Sequence, residues 1–325
     1  MKKLAIFFAF SIQCAIAQDF KYESLVDDPE KVRFIQAGIS IWDVNINDYN
    51  IQLWNLNPRL YGYINKHFTI EAEGSRSLVD RLTLKDESFV MDGSIVALQS
   101  KYASEPASSY NLVGTWYFAN VVRQKSYGHT LKSERNVDYV SDLLTNVLRS
   151  YGLRLGYTKG HTKFDLGNQV SDLVRLDNNT HLDESFTDAT TNIEYATFKI
   201  GLAGSITVNK VINTDKYGKK VYQSHQYWYL DAFLSQKFEA DEMYYNNYRS
   251  DRNNPFQPEL YPVSMNHKPK LPIGGCVGYR IENVAGHGTG LVAELGLIPG
   301  FSDYLIENTY LRVGLSYSFS ISQKN

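Results

Sequence analysis

The chain has little cysteine, no excess of positive charge and no long apolar run after its first residues. It contains two cysteines in 325 residues, and Cys276 is the only one outside the N-terminal segment, so an internal disulfide is excluded once that segment is removed. The formal net charge is −2 with no basic tract, which excludes a nucleic-acid-binding protein. No apolar run after residue 17 is long enough for a transmembrane helix.

The first 17 residues have the three parts of a secretion signal. Met1-Lys2-Lys3 is basic, residues 4–12 are apolar, and Ala15-Ile16-Ala17 forms a small-x-small cleavage site. A lipoprotein signal ending at Cys14 is the weaker alternative, because a glutamine precedes this cysteine where a small residue is expected. We predict that residues 1–17 are removed after export.

Aromatic residues and strict alternation dominate what remains, with 24 tyrosines, 16 phenylalanines and a mean hydropathy of −0.34. The clearest alternation is in the last segment, 308–321, where one face carries Leu311, Val313, Leu315, Tyr317, Phe319 and Ile321. The other face carries Arg312, Gly314, Ser316, Ser318 and Ser320. A period of two over this length predicts a strand, and its position is typical of the closing strand of a transmembrane β-barrel.

A soluble β-sandwich or barrel would show the same alternation, with its apolar face turned inward. The composition of the second face helps to separate the two classes. In 196–208 the residues opposite the apolar face are mostly small, with a single charge at Lys199. Similar faces recur in 273–282 and 290–298. Small, sparsely charged faces favour a narrow, crowded barrel lumen over a surface exposed to solvent.

The fold class we predict is all-β, an antiparallel up-and-down transmembrane barrel of about twelve strands. The predicted domains are the signal at 1–17, an N-terminal periplasmic segment at 18–31, the barrel at 32–321 and a tail at 322–325. The predicted strands are 32–43, 50–64, 68–78, 89–100, 110–123, 146–158, 163–172, 193–211, 222–238, 271–282, 290–298 and 308–321.

This strand count assigns each connection to one side of the membrane. Even-numbered connections become periplasmic and mostly short, and they lie at 65–67, 101–109, 159–162, 213–221 and 283–289. Odd-numbered connections become extracellular and include the long segments 124–145, 173–192 and 238–270. Short turns on one side and long loops on the other are typical of outer-membrane barrels.

The second hairpin carries a resemblance to a known family. The segment Asn57-Pro58-Arg59-Leu60-Tyr61-Gly62-Tyr63-Ile64-Asn65-Lys66-His67-Phe68-Thr69-Ile70-Glu71-Ala72 resembles a "Pro-x-Leu-Gly-Tyr-Phe, turn, aromatic-x-Ile-x-Ala" hairpin found in outer-membrane β-barrel proteins of Bacteroidota. The Ala17-Gln18 signal end and the terminal strand resemble the same group. The resemblance implies a barrel in the cell outer membrane, and it implies no particular activity.

Two groups of candidate functional residues follow. The charged side chains expected in the lumen either line a pore for polar solutes or form a stabilising salt-bridge network; they are Glu71, Glu73, Arg154, Lys199, Asp231, Arg280, Glu282, Glu294 and Arg312. The aromatic residues of 238–270 are expected to form an inward plug, a partner-binding surface or an interfacial girdle; they are Tyr244, Tyr245, Tyr248, Phe256 and Tyr261.

Catalysis has weaker support in the sequence. His129, His181 and His267 fall in predicted extracellular loops, and none belongs to a hydrolase motif. We expect no catalytic residues, no metal and no cofactor.

The function predicted first is a narrow pore for small polar solutes. An accessory or structural subunit of a larger outer-membrane complex is the alternative, and a lipid-modifying hydrolase is the second alternative. The expected partners are outer-membrane lipid and other outer-membrane or periplasmic proteins.

Overall fold

The computed structural model describes residues 22–47, 51–81, 96–100, 107–134, 137–165, 173–175, 190–214, 218–240, 243–247, 259–265, 272–283, 287–299 and 309–324. These ranges form one short 3-10 helix, Pro29–Lys31, and sixteen strands. The strands are β1 Tyr22–Asp27, β2 Arg33–Asn47, β3 Ile51–Leu56, β4 Pro58–Asn65, β5 Phe68–Arg81, β6 Val96–Ser100, β7 Ser108–Glu134, β8 Val137–Asp165, β9 Leu173–Arg175, β10 Thr190–Thr214, β11 Gly218–Ala240, β12 Met243–Asn247, β13 Glu259–Met265, β14 Ile273–Asn283, β15 His287–Leu297 and β16 Thr309–Lys324. No helix in these ranges is long and apolar enough to cross a bilayer.

Antiparallel pairing closes most of the strands into a barrel. β3 and β4 together pair with β2 on one side and β5 on the other, so they make one barrel strand, interrupted at Asn57 directly before Pro58. A proline cannot donate to the ladder, which explains the interruption. The ring then runs β2, β3 with β4, β5, β7, β8, β10, β11, β14, β15 and β16, and β16 pairs with β2 to close ten barrel strands.

The prediction of twelve strands is therefore wrong by two. The end of the predicted strand 89–100 is β6, which pairs with β12 in a separate four-stranded sheet with β13 and β9; 89–95 lie outside the described residues. Of the predicted strand 163–172, residues 163–165 are the end of β8 and 166–172 lie outside the described residues. Alternation predicts a strand in any sheet, so it does not tell which sheet the strand joins.

Because the barrel has ten strands rather than twelve, several connections lie at the opposite end of the barrel from the one predicted. The turn at 66–67 lies at one end of the barrel with the first and last described residues, here called the termini end, and β7, β10 and β14 end there at Glu134, Thr214 and Asn283. The segment 124–145 is thus a hairpin at the termini end rather than a loop at the opposite, loop end. Residues 107–109 and 159–162 lie at the loop end. Each barrel strand takes the chain from one side of the membrane to the other. Counting 89–100 as a barrel strand therefore assigned the following connections to the wrong side, and counting 163–172 as a second extra strand made the later assignments correct again.

The strands are strongly tilted within the barrel. Following paired residues once around the ring from Phe68 of β5, through Trp116 and Leu153, returns to β5 at Arg81 rather than at Phe68. For ten strands this stagger corresponds to a tilt of about 40°. A closed barrel of this size has an interior that side chains can fill.

The barrel has a polar interior and an apolar outer face. Glu71, Arg154, Asp231 and Arg280 are each 4% exposed or less. The outer face exposes large apolar side chains on neighbouring strands, among them Leu153 and Leu155 of β8, Phe198, Ile200 and Leu202 of β10, and Leu311, Leu315, Tyr317, Phe319 and Ile321 of β16. An apolar surface that surrounds a protein on all sides is far larger than the patches found on soluble monomers.

One hairpin extends far beyond the rest of the wall. β5 pairs with β7 only as far as Phe68 opposite Trp116, and from there β7 continues to Glu134 with β8 as its neighbour. The extension lies at the termini end, past the turn between β4 and β5. Beside it, β1 adds to β10 from Tyr22 opposite Thr214 to Asp27 opposite Lys210.

The close approach of strands at Gly201 gives a stability prediction. A Cβ at Gly201 would clash with the Leu230 carbonyl oxygen and lie 2.8 Å from the Asp231 Cα, whereas a Cβ at Gly114 meets nothing nearer than the Phe68 ring at 3.7 Å. We expect Gly201→Ala to lower the free energy of unfolding by about 1–3 kcal/mol, because the backbone of β11 must shift. Urea unfolding in detergent should show this loss for Gly201→Ala and a smaller one for Gly114→Ala. Equal losses would contradict the packing described.

Candidate functional site

The lumen concentrates the charged residues of the barrel, and strand alternation brings them there. Glu71 and Glu73 are two residues apart on β5, and Arg280 and Glu282 are two apart on β14, so each pair shares the inward face of its strand. All four are buried. The sequence expectation that they point inward follows directly from the apolar residues between them.

Arg280 connects opposite walls of the barrel. Its Nη1 lies 2.8 Å from Glu71 Oε1 and its Nη2 lies 2.7 Å from Glu73 Oε2. β14 and β5 are five positions apart in the ring of ten, so these two ion pairs bridge the full diameter. A planar guanidinium that contacts two carboxylates fixes both the distance between the two walls and the orientation of the carboxylates, which a lysine ammonium would not do.

Arg59 and Arg154 extend the same network to three further strands. Arg59 Nε donates to Glu71 Oε1 at 3.0 Å, and its Nη1 pairs with Glu282. Arg154 Nε donates to Asp231 Oδ2 at 2.9 Å, and its Nη1 lies 3.8 Å from Glu71 Oε2. Glu71 therefore has three arginine partners on β4, β8 and β14.

Arg312 completes the network on the side of the closing strand. Its Nη2 and Nε contact Asp43 Oδ2 at 2.8 Å and 3.0 Å, and it also pairs with Glu73. Asn55 Nδ2 donates to the other oxygen of Asp43 at 3.3 Å. Here the strand that most clearly predicted a barrel is tied through its one arginine to β2 and β5.

An aromatic layer fills the lumen toward the termini end. Tyr61 and Tyr227 stack with ring centroids 5.6 Å apart, and Phe34 and Tyr63 stack at 5.5 Å. His225 lies among these four rings, where its Nε2 is 2.8 Å from the Tyr61 hydroxyl and its Nδ1 is 2.9 Å from Thr207 Oγ1. Tyr61 and Tyr227 are on β4 and β11, which are also five positions apart, so this layer also spans the diameter.

Sequence reasoning missed the aromatic layer, although a signal was present. On β11, His225, Tyr227 and Tyr229 have the same parity as Asp231, which was expected in the lumen. Counting back in steps of two from Asp231 finds all three. The neighbouring aromatic residues Trp228 and Tyr229 point to opposite faces of β11, since Tyr229 is 1% exposed in the lumen while Trp228 is 40% exposed on the outer face.

The structure brings together all nine predicted lumen residues. Glu71, Glu73, Arg154, Asp231, Arg280, Glu282 and Arg312 belong to the ion-pair network. The other two lie nearby, with Glu294 accepting hydrogen bonds from Tyr229 and Tyr310 and Lys199 standing over the Phe233 ring at 5.0 Å. The role of this set in transport or binding stays a prediction.

Three of the five predicted plug residues lie in the part of the chain that the structure describes. Tyr244 and Tyr245 lie on β12 and Tyr261 lies on β13, within the separate four-stranded sheet. Tyr248 and Phe256 lie outside the described residues. No position in the lumen is assigned to any of the five.

The three histidines considered for catalysis do not form a site in the described residues. His129 is on β7 in the hairpin at the termini end, so its predicted place in a loop at the opposite end is wrong. The miscounted strand described above explains that error. His181 and His267 lie outside the described residues.

A cavity lies above the ion-pair network, on its loop-end side. Its volume is about 180 Å³, and Glu73, Arg154, Arg280 and Arg312 contribute to its lining. Lys199, Phe233, Tyr195, Asn45 and Asn55 line it as well. The lumen thus consists, from the termini end, of an aromatic layer, an ionic layer and a cavity.

Comparison with known proteins adds little to this geometry. No family model and no curated protein matches the chain. Among solved structures, a loop L8 deletion mutant of OmpT, an outer membrane protein of Vibrio cholerae, is 10% identical, covers 90% of this chain and 100% of its own, and gives a TM-score of 0.18. In-vitro folded OmpT from Vibrio cholerae, in its trimer form, is 8% identical, covers 93% and 99%, and gives 0.17. The fold assignment therefore rests on the strand pairing, and the resemblance to Bacteroidota barrels stays a prediction.

The network makes a quantitative prediction for Arg280. We expect Arg280→Met to lower the free energy of unfolding by about 3–5 kcal/mol, because it leaves Glu71 and Glu73 short of a buried cation. The matched control is Lys237→Met. Lys237 is 37% exposed and pairs with Glu194 at 2.6 Å and with Glu239 at 3.1 Å, so the loss of these surface pairs should cost about 1 kcal/mol or less.

A double-mutant cycle of Arg280→Met with Glu73→Gln should show a coupling of about 0.5–3 kcal/mol in urea unfolding. Additive losses would mean that the two side chains do not interact in the folded barrel.

Proposed function

We propose that this chain is an outer-membrane β-barrel with a closed lumen, acting as a structural or accessory subunit of a larger outer-membrane assembly. The observation that carries the proposal is the set of ion pairs between Arg280 and the carboxylates of Glu71 and Glu73, which join opposite walls of the barrel. Side chains that occupy the diameter leave little room for a solute to pass.

The membrane location is supported by the distribution of polarity. Large apolar side chains are exposed on the outer face of strands around the ring, and the charged side chains Glu71, Arg154 and Arg280 are buried inside it. Strands can satisfy their backbone groups in a bilayer only when the sheet closes on itself, as it does here through β16 and β2. On this proposal the termini end is periplasmic and the loop end is extracellular, in accord with short periplasmic turns and longer outer loops.

The closed lumen favours the accessory role over the pore that was predicted first. A pore with charged rings needs side chains that line the wall and leave the axis free. Here Arg59, Arg154, Arg280 and Arg312 each reach carboxylates on other strands, and the aromatic layer with Tyr61 and His225 lies in series with them. Two layers in series would both have to move before a solute could cross.

The extended hairpin supports contact with a periplasmic partner. Beyond Trp116, β8 is the only strand among the described residues that pairs with β7, and the side chains of 121–126 are all exposed. A strand with one edge unpaired in this way is a template for another chain, and proteins that have no use for such an edge usually shorten or cover it. A long projecting hairpin therefore suits a subunit that docks onto another periplasmic protein.

The closed lumen predicts electrical silence. We expect the purified protein to give no discrete conductance steps in planar bilayers, because the ionic and aromatic layers block the lumen. Insertion should be verified on the same preparation by heat-modifiable mobility and protection from protease in vesicles. Discrete steps whose ion selectivity changes in Lys199→Gln would support the pore and reject the closed barrel.

The hairpin predicts a partner that depends on it. We expect replacement of 125–145 by an Asn-Gly turn to leave a folded barrel in the outer-membrane fraction but to abolish co-purification of a periplasmic partner in mild detergent. A variant with only residues 135–136 changed to Asn-Gly keeps the full hairpin and should retain the partner. A wild-type protein that always elutes alone after mild cross-linking would contradict the accessory role.

A further inference from the structure

The cavity above the ionic layer differs from the rest of the lumen because its polar groups are incompletely paired. Its ion-paired floor includes Arg280 and Arg312. Its wall adds apolar surface from Phe233 and Ile193. A volume of about 180 Å³ is slightly larger than the 150 Å³ cavity that is known to accept benzene. A small organic molecule is therefore the right size of occupant.

Lys199 supplies an available positive charge on one side of this cavity. Its Nζ lies over the Phe233 ring, 5.0 Å from the centroid, and no carboxylate among the described residues is within ion-pair distance of it. The four lumenal arginines, by contrast, all have carboxylate partners. A partly buried ammonium that lies over an aromatic ring and makes no close ion pair is placed to bind a ligand carboxylate.

Asn55 supplies an available acceptor on a wall four strand positions away from Lys199. Its Nδ2 donates to Asp43 Oδ1 at 3.3 Å, which fixes the orientation of the amide because a carboxylate only accepts. The Asn55 side chain is buried, it lines the cavity, and its Oδ1 has no hydrogen-bond partner. Asn45, on the neighbouring strand β2, also lines the cavity and also has an unpartnered Oδ1. A buried acceptor without a donor costs free energy until a ligand supplies one.

We propose that this cavity binds a small zwitterion of the α-amino acid class. The ligand carboxylate pairs with the Lys199 ammonium, the ligand ammonium donates to the Asn55 carbonyl oxygen, and an apolar side chain packs on Phe233 and Ile193. The ionic layer forms the floor, so the ligand enters and leaves from the loop end and does not cross the barrel. The proposal is independent of the accessory role and requires only the cavity.

The test is equilibrium dialysis of labelled L-leucine against the purified full-length protein in detergent. The analogues are 4-methylpentanoate, which lacks the ammonium group, and 3-methylbutylamine, which lacks the carboxylate. We expect saturable binding of leucine that falls at least tenfold in Lys199→Met and in Asn55→Leu. Lys159→Met, a change of the same type on an exposed lysine of the outer face, should bind leucine as the wild type does.

Each outcome decides the proposal, provided that the variants keep the heat-modifiable mobility of a folded barrel. If Asn55→Leu does not fold, Asn55→Asp replaces it, and the proposal then expects unchanged or tighter binding of leucine. Equal binding of leucine and 4-methylpentanoate would overturn the zwitterion in favour of a simple carboxylate. Absence of saturable leucine binding, or binding unchanged in Lys199→Met, would overturn the site itself.

Discussion

The bridge from Arg280 to Glu71 and Glu73 is the contact on which the rest of the lumen depends. It holds β14 at a fixed distance from β5 on the opposite wall, and Arg59, Arg154 and Arg312 each also pair with one of the same two carboxylates. Charges removed from water must be paired to be tolerated. Glu71 meets this requirement through three arginines, so the network is a single unit rather than a set of separate pairs.

The need to pair buried charges also explains which residues alternate along the strands. In a soluble β protein the alternating apolar residues fill the core, and the polar residues face water. In this barrel the apolar residues Leu153, Leu155 and Phe198 are exposed, and the interior has to be built from groups of opposite charge and from aromatic rings with polar edges. The tyrosines Tyr61, Tyr227 and Tyr229 suit that interior because each fills space and also offers a hydroxyl to a neighbour.

Much of the fold was predictable from the sequence, but the pairing of side chains inside the barrel was not. The period of two placed Arg312 inside and Tyr317 and Phe319 outside, because that assignment needs only one strand. The pairing of Arg280 with Glu73 depends on two strands more than 200 residues apart in the chain and on the stagger of the ring. No local pattern encodes that stagger. Alternation also did not show that 96–100, the end of the predicted strand 89–100, belong to the four-stranded sheet rather than to the barrel.

Because side chains fill the middle of the lumen, the two functional surfaces proposed above lie at opposite ends of the barrel. The layers of Tyr61, His225 and Arg280 separate the ends, so the ligand proposed at Lys199 at one end has no path to the β7–β8 hairpin at the other. Any communication between them must pass through the wall or through the ionic layer, whose members have opposing partners on many strands. A network with this many shared partners resists small displacements, because moving Arg280 toward one carboxylate weakens its contact with the other. On the two proposals made above, the barrel holds a partner and a solute in fixed positions and does not conduct between them.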